Sequence, residues 1–306
     1  MTRKSACAAA VVVLLGSTSL VSAQGQFYLR AVDMLGASVL DLEADEVIVR
    51  EDGIERSVRN VRPANLPINL TVLVDNSRGG PATRTAGAAY LLHFRAGLAT
   101  LVDGLPPNQM VSILPLAGEP RWLLQPSIER EAIHDGIGDL TYGRAGMHLL
   151  DALDETTREI EESRELARPV VVIVTGVTRE RSEVTTERYQ RVVDRLLRHG
   201  TTVHAVVITG RRTGSVGDDF VSRVCAQLTT LTGGHHRRVW RTLNVGDELR
   251  EIAGKIRVRN RELSRQVIVR YDRPEDEPPA EEVGVEIERY NLRWEMTTDG
   301  RIYQER

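Results

Sequence analysis

Cysteine is nearly missing from this chain: Cys7 and Cys225 are the only two in 306 residues. Aromatic residues make up 4% of the sequence, so no stacking platform for bases or sugars is suggested by composition. Lysine occurs only at Lys4 and Lys255, and the formal net charge of −3 does not suggest a nucleic-acid partner. The apolar stretch near the amino terminus is too short for a stable membrane helix, and no later run reaches the roughly 20 residues needed. Also missing are a Gly-x-Ser-x-Gly elbow, a phosphate loop and a Cys/His dyad, and Ser77 has no histidine near it in sequence.

The first residues read as an address. Arg3 and Lys4 form a positive segment, Ala8 to Leu15 an apolar run, and Val21-Ser22-Ala23 a signal-peptidase site. Cleavage after Ala23 is predicted, and it leaves about 283 residues with a net charge of about −5. Cys7 precedes the apolar run, where a lipid-acceptor cysteine would follow it. The predicted location is therefore periplasmic or secreted, with no membrane-spanning segment after cleavage. The mature protein keeps only Cys225, which excludes an internal disulfide and reads as a small buried apolar residue.

Residues 24–66 are expected to form a β-strand region. Phe27 to Asp33 tends to alternate, and Val47 to Gly53 runs into an Asp-Gly turn with a second strand after it. From Ile68 the pattern changes to β-branched runs at Ile68–Val74, Met110–Leu114, Val170–Val174, Val203–Ile208 and His236–Trp240. They alternate with helical stretches at Pro81–Leu101, His148–Arg164, Thr186–His199, Asp219–Leu231 and Val245–Leu263. That alternation predicts an α/β domain over residues 67–263. Its fold class is an open, doubly wound, mostly parallel sheet with helices on both faces. Ligands on such sheets sit at the carboxyl ends of strands, here the turns after Val74, Val174 and Ile208. Residues 264–306 return to strands and are expected to form a hairpin region. Strands from both ends of the chain are expected to pack together beside the central sheet.

Several short segments, in order, resemble a known family. Leu42 to Gly53 is similar to the Leu-x-x-x-Asp-Phe-x-Val-x-Glu-Asp-Gly signature of exported bacterial proteins related to the von Willebrand factor type A domain, with Glu46 and Val47 in place of its Asp and Phe. Asp75-Asn76-Ser77 resembles the opening of that family's Asp-x-Ser-x-Ser metal motif. Leu149 to Leu153 resembles its Leu-Tyr-Asp-Ala-Leu helix, and Thr232-Gly233-Gly234 its Thr-Gly-Gly turn. The resemblance spans roughly Phe27 to Trp294. It implies strand order 3-2-1-4-5-6 with one antiparallel edge strand near Trp122 to Leu124.

The resemblance also implies a metal-ion-dependent adhesion site, and here it departs from the pattern. A hard cation such as magnesium needs oxygen ligands. Asp75 and Ser77 remain, whereas Gly79 stands for the second hydroxyl, Met147 for the threonine and Gly176 for the second aspartate. The expectation is a remnant site without a functioning metal, the alternative being weak magnesium binding with Thr83, Thr85, Thr141 or Thr178 as substitute ligands. No cofactor is expected.

Two further groups invite zinc or acid–base proposals. His235 and His236 are neighbours beside Trp240, and adjacent strand residues point to opposite faces, so the pair cannot easily share one ion. His134, Asp135 and Asp139 read as a solvated face. Arg78, Arg144, Arg179, Arg211 and Arg212 flank the sheet's carboxyl edge and could receive carboxylates of a protein partner directly. The function expected is non-catalytic protein–protein recognition or adhesion in the envelope or outside the cell. The alternatives are a scaffold subunit of an envelope assembly, or an enzyme using Asp75 and Ser77.

Overall fold

A computed structural model describes residues 13–14, 24–78, 86–87, 89–163, 167–209, 220–274, 277 and 280–297. Apart from Val13 and Leu14, the predicted leader lies outside them, as do Gly79, Thr83, Thr85, Arg211 and Arg212.

In chain order the first strands are β1 (Val13–Leu14), β2 (Gln24–Val32), β3 (Val47–Glu51), β4 (Ile54–Arg56), β5 (Val58–Pro63) and β6 (Ile68–Val74). Helix α1 (Ala89–Asp103), β7 (Met110–Pro115), β8 (Leu124–Ser127), α2 (Arg130–Gly138), α3 (Leu149–Glu162) and β9 (Arg168–Gly176) follow. Next are α4 (Thr186–Arg198), β10 (Thr202–Ile208), α5 (Phe220–Leu231), β11 (His236–Val239) and α6 (Val245–Leu263). The last strands are β12 (Val267–Asp272), β13 (Glu282–Ile287) and β14 (Arg293–Thr297). No helix among the described residues is long and apolar enough to cross a membrane.

The chain divides into two compact units, one of residues 66–257 and one of residues 1–65 with 258–306, so the division falls within α6. In the larger unit six strands form one sheet in the order β11-β10-β9-β6-β7-β8. Counted along this unit, that is 3-2-1-4-5-6 read from the β8 edge, the order the resemblance implies. All neighbours are parallel except β7 and β8. The antiparallel edge strand is thus present, but it starts at Leu124 where the expected segment ends. Trp122 lies outside it, packed against the core.

The sheet forms because its strands can be buried on both faces. Every residue of β6 is buried, and alternate side chains go to opposite layers. Val170, Val172 and Val174 pack with Leu98, Leu101, Leu249 and Ile252 of α1 and α6. Val171 and Ile173 pack with Leu153, Leu196 and Leu228 of α3, α4 and α5. Cys225 belongs to this second layer, fully buried as a free thiol. The Thr-Gly-Gly turn has a steric basis. A Cβ on Gly234 would lie 1.7 Å from the Val203 carbonyl oxygen. The Thr232 hydroxyl accepts a hydrogen bond from the Val203 N–H at 2.9 Å.

In the smaller unit β14-β2-β12-β5 form one sheet and β1-β13-β3-β4 another. Phe27, Leu29, Val267 and Val269 of the first share a core with Val47, Val49, Val283 and Val285 of the second. The expected carboxyl-terminal hairpin is corrected here. β12 pairs with β2 and β5, β13 with β3 and β1, and β14 with β2, so these three strands do not pair with one another. Strand pairing across the whole chain buries the alternating apolar face of each segment. A local hairpin of β12 and β13 is not needed for it.

Candidate functional site

Asp75 is the first residue beyond β6 and is completely buried. Its backbone N–H still donates to the Val174 carbonyl at 2.8 Å, which extends the sheet by one residue and aims the side chain at the carboxyl edge. Five donors converge on the carboxylate. Oδ1 accepts from the Ser77 N–H at 3.0 Å and from the Ser77 hydroxyl at 2.6 Å. Oδ2 accepts from the Gly176 N–H at 3.2 Å and from the Thr178 hydroxyl at 3.1 Å, and lies 3.3 Å from the Thr175 hydroxyl, whose one proton it shares with the Gly176 carbonyl at 2.9 Å. Burial pushes the Asp75 carboxyl above its ordinary value, and the bonds from Ser77, Gly176 and Thr178 pull it back.

A magnesium ion would need those same carboxylate lone pairs, together with further hard oxygen donors. The described residues, which leave out Gly79, Thr83 and Thr85, do not supply them. Ser77 is as buried as Asp75 and spends its hydroxyl proton on it. Met147 is buried with its sulfur 3.3 Å from the Thr175 hydroxyl, a soft atom beside the carboxylate's own donor. Gly176 has no side-chain oxygen to offer; its backbone N–H donates to Asp75, and its carbonyl accepts from the Thr178 N–H at 3.0 Å. Of the substitute ligands weighed in sequence, Thr178 reaches Asp75 as a hydrogen-bond donor. Thr141 has an exposed side chain and presents its carbonyl to Asn76. The arrangement does not fit a hard cation.

One residue of this cluster carries no signal in the sequence. Tyr90, in the alanine- and leucine-rich α1, is fully buried, and its hydroxyl has no hydrogen-bond partner among the described residues. Burial, then the charge of Asp75, hold its pKa well above the usual phenol value.

The loops around Asp75 are tied to one another. Asn76 donates to the Thr141 carbonyl at 2.7 Å and accepts from the N–H groups of Ala117 and Gly143 at 3.0 and 3.1 Å. Glu180, in the loop after β9, accepts from the Leu149 N–H at 3.0 Å and so caps the amino terminus of α3. Asp151 of that helix is held by His148 at 2.8 Å and Arg188 at 2.7 Å, which keep its carboxyl below the usual range against the opposing effect of burial. Arg78, Arg144 and Arg179 sit exposed on three of these loops, and the Arg78 guanidinium lies 5.1 Å from the centre of the Tyr142 ring.

The other sequence candidates separate. His134 pairs with Asp103 at 3.0 Å, away from Asp135 and Asp139. His235 contacts Glu251 at 3.2 Å and lies with Glu248 and Glu251 of α6, a grouping that the sequence neighbours His236 and Trp240 do not reveal. Burial and the nearby Lys255 lower the His235 pKa, with Arg237 and His236 adding to the effect and Glu251 opposing it.

No family model matches the chain, and no curated protein matches its sequence. Among solved structures it is similar to a von Willebrand factor type A protein from Catenulispora acidiphila. The identity there is 11% over 79% of this chain and 52% of that one, with a TM-score of 0.48. The chain therefore spans about half the length of that protein. It is also similar to the conserved hypothetical protein BatB from Bacteroides thetaiotaomicron, with 14% identity over 62% of this chain and 99% of that one and a TM-score of 0.48. For an aerotolerance-related membrane protein from Bacteroides fragilis the values are 14%, 61%, 99% and 0.47.

Proposed function

We propose that the larger unit, a von Willebrand type A-like fold by its strand order, is a non-catalytic protein-recognition module of an envelope or secreted protein that binds without a bridging cation. The observation that carries this reading is the saturation of Asp75 by five donors of the chain itself, at the point where the resemblance implies a metal. A carboxylate so engaged is a structural acceptor. The enzyme alternative requires Asp75 and Ser77 to touch substrate, and both are sealed from solvent.

Recognition then falls to what the same edge exposes. Arg78, Arg144 and Arg179 stand on loops joined through Asn76, Met147 and Glu180, so their backbones are held at fixed spacing. Guanidinium groups donate bidentately to a partner's carboxylates, with no ion between. Arg211 and Arg212 belong to the same proposal by sequence position.

The test is capture of a partner from envelope extract on the parent protein and on an Arg144→Glu/Arg179→Glu variant. Binding should persist in EDTA, weaken as salt is raised, and drop at least tenfold in the variant. Binding abolished by EDTA, or equal in the two proteins, contradicts the reading.

A further inference from the structure

The turn after α5 places His235 opposite two carboxylates one helical turn apart on α6. One ligand atom each from His235, Glu248 and Glu251 lies within 4.8 Å of the other two. The His235 backbone is fixed by its N–H, which donates to the His204 ring nitrogen at 3.1 Å. The strand register also holds it, since His236 lies opposite Ala205 of β10. Glu248 and Glu251, three residues apart, share one helix face.

Two buried atoms at this spot, His235 Nε2 and Glu248 Oε2, meet their charged neighbours without hydrogen-bond alignment, Glu248 Oε2 facing Arg237 Nε at 3.3 Å. His235 Nε2 is 3.2 Å from Glu251 Oε1, yet the pair lacks the alignment of a hydrogen bond. Zinc bonds of about 2.0–2.2 Å to nitrogen and oxygen make a tetrahedral edge of about 3.3–3.5 Å. The His235–Glu251 separation is close to that edge, and a rotation of the Glu248 side chain would bring in a third ligand.

Cationic side chains now occupy the carboxylates. Arg237 approaches Glu248 at 3.3 Å and Glu251 at 3.4 Å, and Lys255 approaches Glu251 at 3.5 Å. Arg237 and Lys255 are each nearly half exposed, so these pairs hold weakly and can swing away. The geometry points to a zinc-class divalent metal site formed by His235, Glu248 and Glu251, with Arg237 and Lys255 as displaceable counter-ions. Three protein ligands leave a fourth position open to water. The site is separate from Asp75, whose donors are all supplied by its own loops.

The experiment is titration of the full chain with zinc chloride, read by calorimetry, with cobalt(II) as an absorbing probe of four-coordinate geometry. One ion per chain should bind saturably. His235→Ala and Glu248→Ala should each weaken binding at least tenfold. Arg237→Gln, which removes the competing cation, should tighten binding several-fold, and this arm remains decisive if His235→Ala folds poorly. Absence of saturable binding, retained affinity in His235→Ala, or no gain in Arg237→Gln overturns the site.

Discussion

Replacing Asp75 with alanine separates a structural acceptor from a cation ligand by the sign of the effect. A carboxylate reserved for a metal is buried charge without compensation, so its removal from the metal-free protein relieves strain and stabilises. Asp75 is instead an acceptor for five donors, two of them the backbone N–H groups of Ser77 and Gly176, which cannot turn elsewhere. The three hydroxyls can re-aim, and Thr175 already has the Gly176 carbonyl at 2.9 Å. Leaving two buried N–H groups unsatisfied costs about 1–3 kcal/mol each, so Asp75→Ala should lose about 2–6 kcal/mol. With a urea m-value of about 2–3 kcal/mol/M, the unfolding midpoint should fall by about 0.7–3 M. Asp75→Asn keeps one carbonyl oxygen and should fall between the parent and the alanine variant. A midpoint within about 0.2 M of the parent, or above it, refutes the acceptor argument.

Other perturbations test neighbouring parts of the structure. Gly234→Ala would drive a methyl group into the Val203 carbonyl, and a loss of about 3 kcal/mol or more in urea unfolding is expected, with a near-neutral result counting against this packing. Glu180→Gln removes the charge capping α3 and should reduce stability by about 0.5–2 kcal/mol, less in high salt; a salt-independent loss would point to packing instead. Because the folded Asp75 carboxyl lies above its unfolded value, the native state binds more protons in the window above the ordinary value of 3.8. This group's contribution therefore falls as pH rises through that window. The stability difference between parent and Asp75→Asn should move against the parent with rising pH there, and a difference moving the other way would reverse the sign assigned to burial.

Much of the larger unit was legible because burial on both faces leaves long β-branched runs. The segments Ile68–Val74 and Val170–Val174 announce a covered sheet without reference to anything distant. Helix α2 left little trace, since Gly136 and Gly138 lie in it and its buried side chains reduce to Ile133 and Ile137. Strand β8 is short and partly exposed, with Pro126 inside it, so its position was misplaced by a few residues. The pairing of β12, β13 and β14 with strands more than 200 residues away is invisible to any local pattern, and a hairpin was the wrong inference from adjacency.

The site was read by subtraction. Resemblance marked Asp75 and Ser77 and the losses at Met147 and Gly176, but it could not say what fills the vacated role. The Thr175 and Thr178 hydroxyls do so by donating to Asp75. Glu248 and Glu251 looked like an ordinary solvated helix face, because only the turn that swings His235 toward them gives them a partner.

Thermal unfolding with and without millimolar magnesium decides whether the Asp75 cluster works without a divalent cation. A ligand that binds only the native state raises stability by RT ln(1 + [L]/Kd), about 2.7 kcal/mol when the ion is at 100 times its Kd. The melting temperature should stay unchanged from EDTA through 10-millimolar-scale magnesium (an excess of about 100 over any Kd near 0.1 mM). A saturable rise that disappears in Asp75→Ala would contradict it.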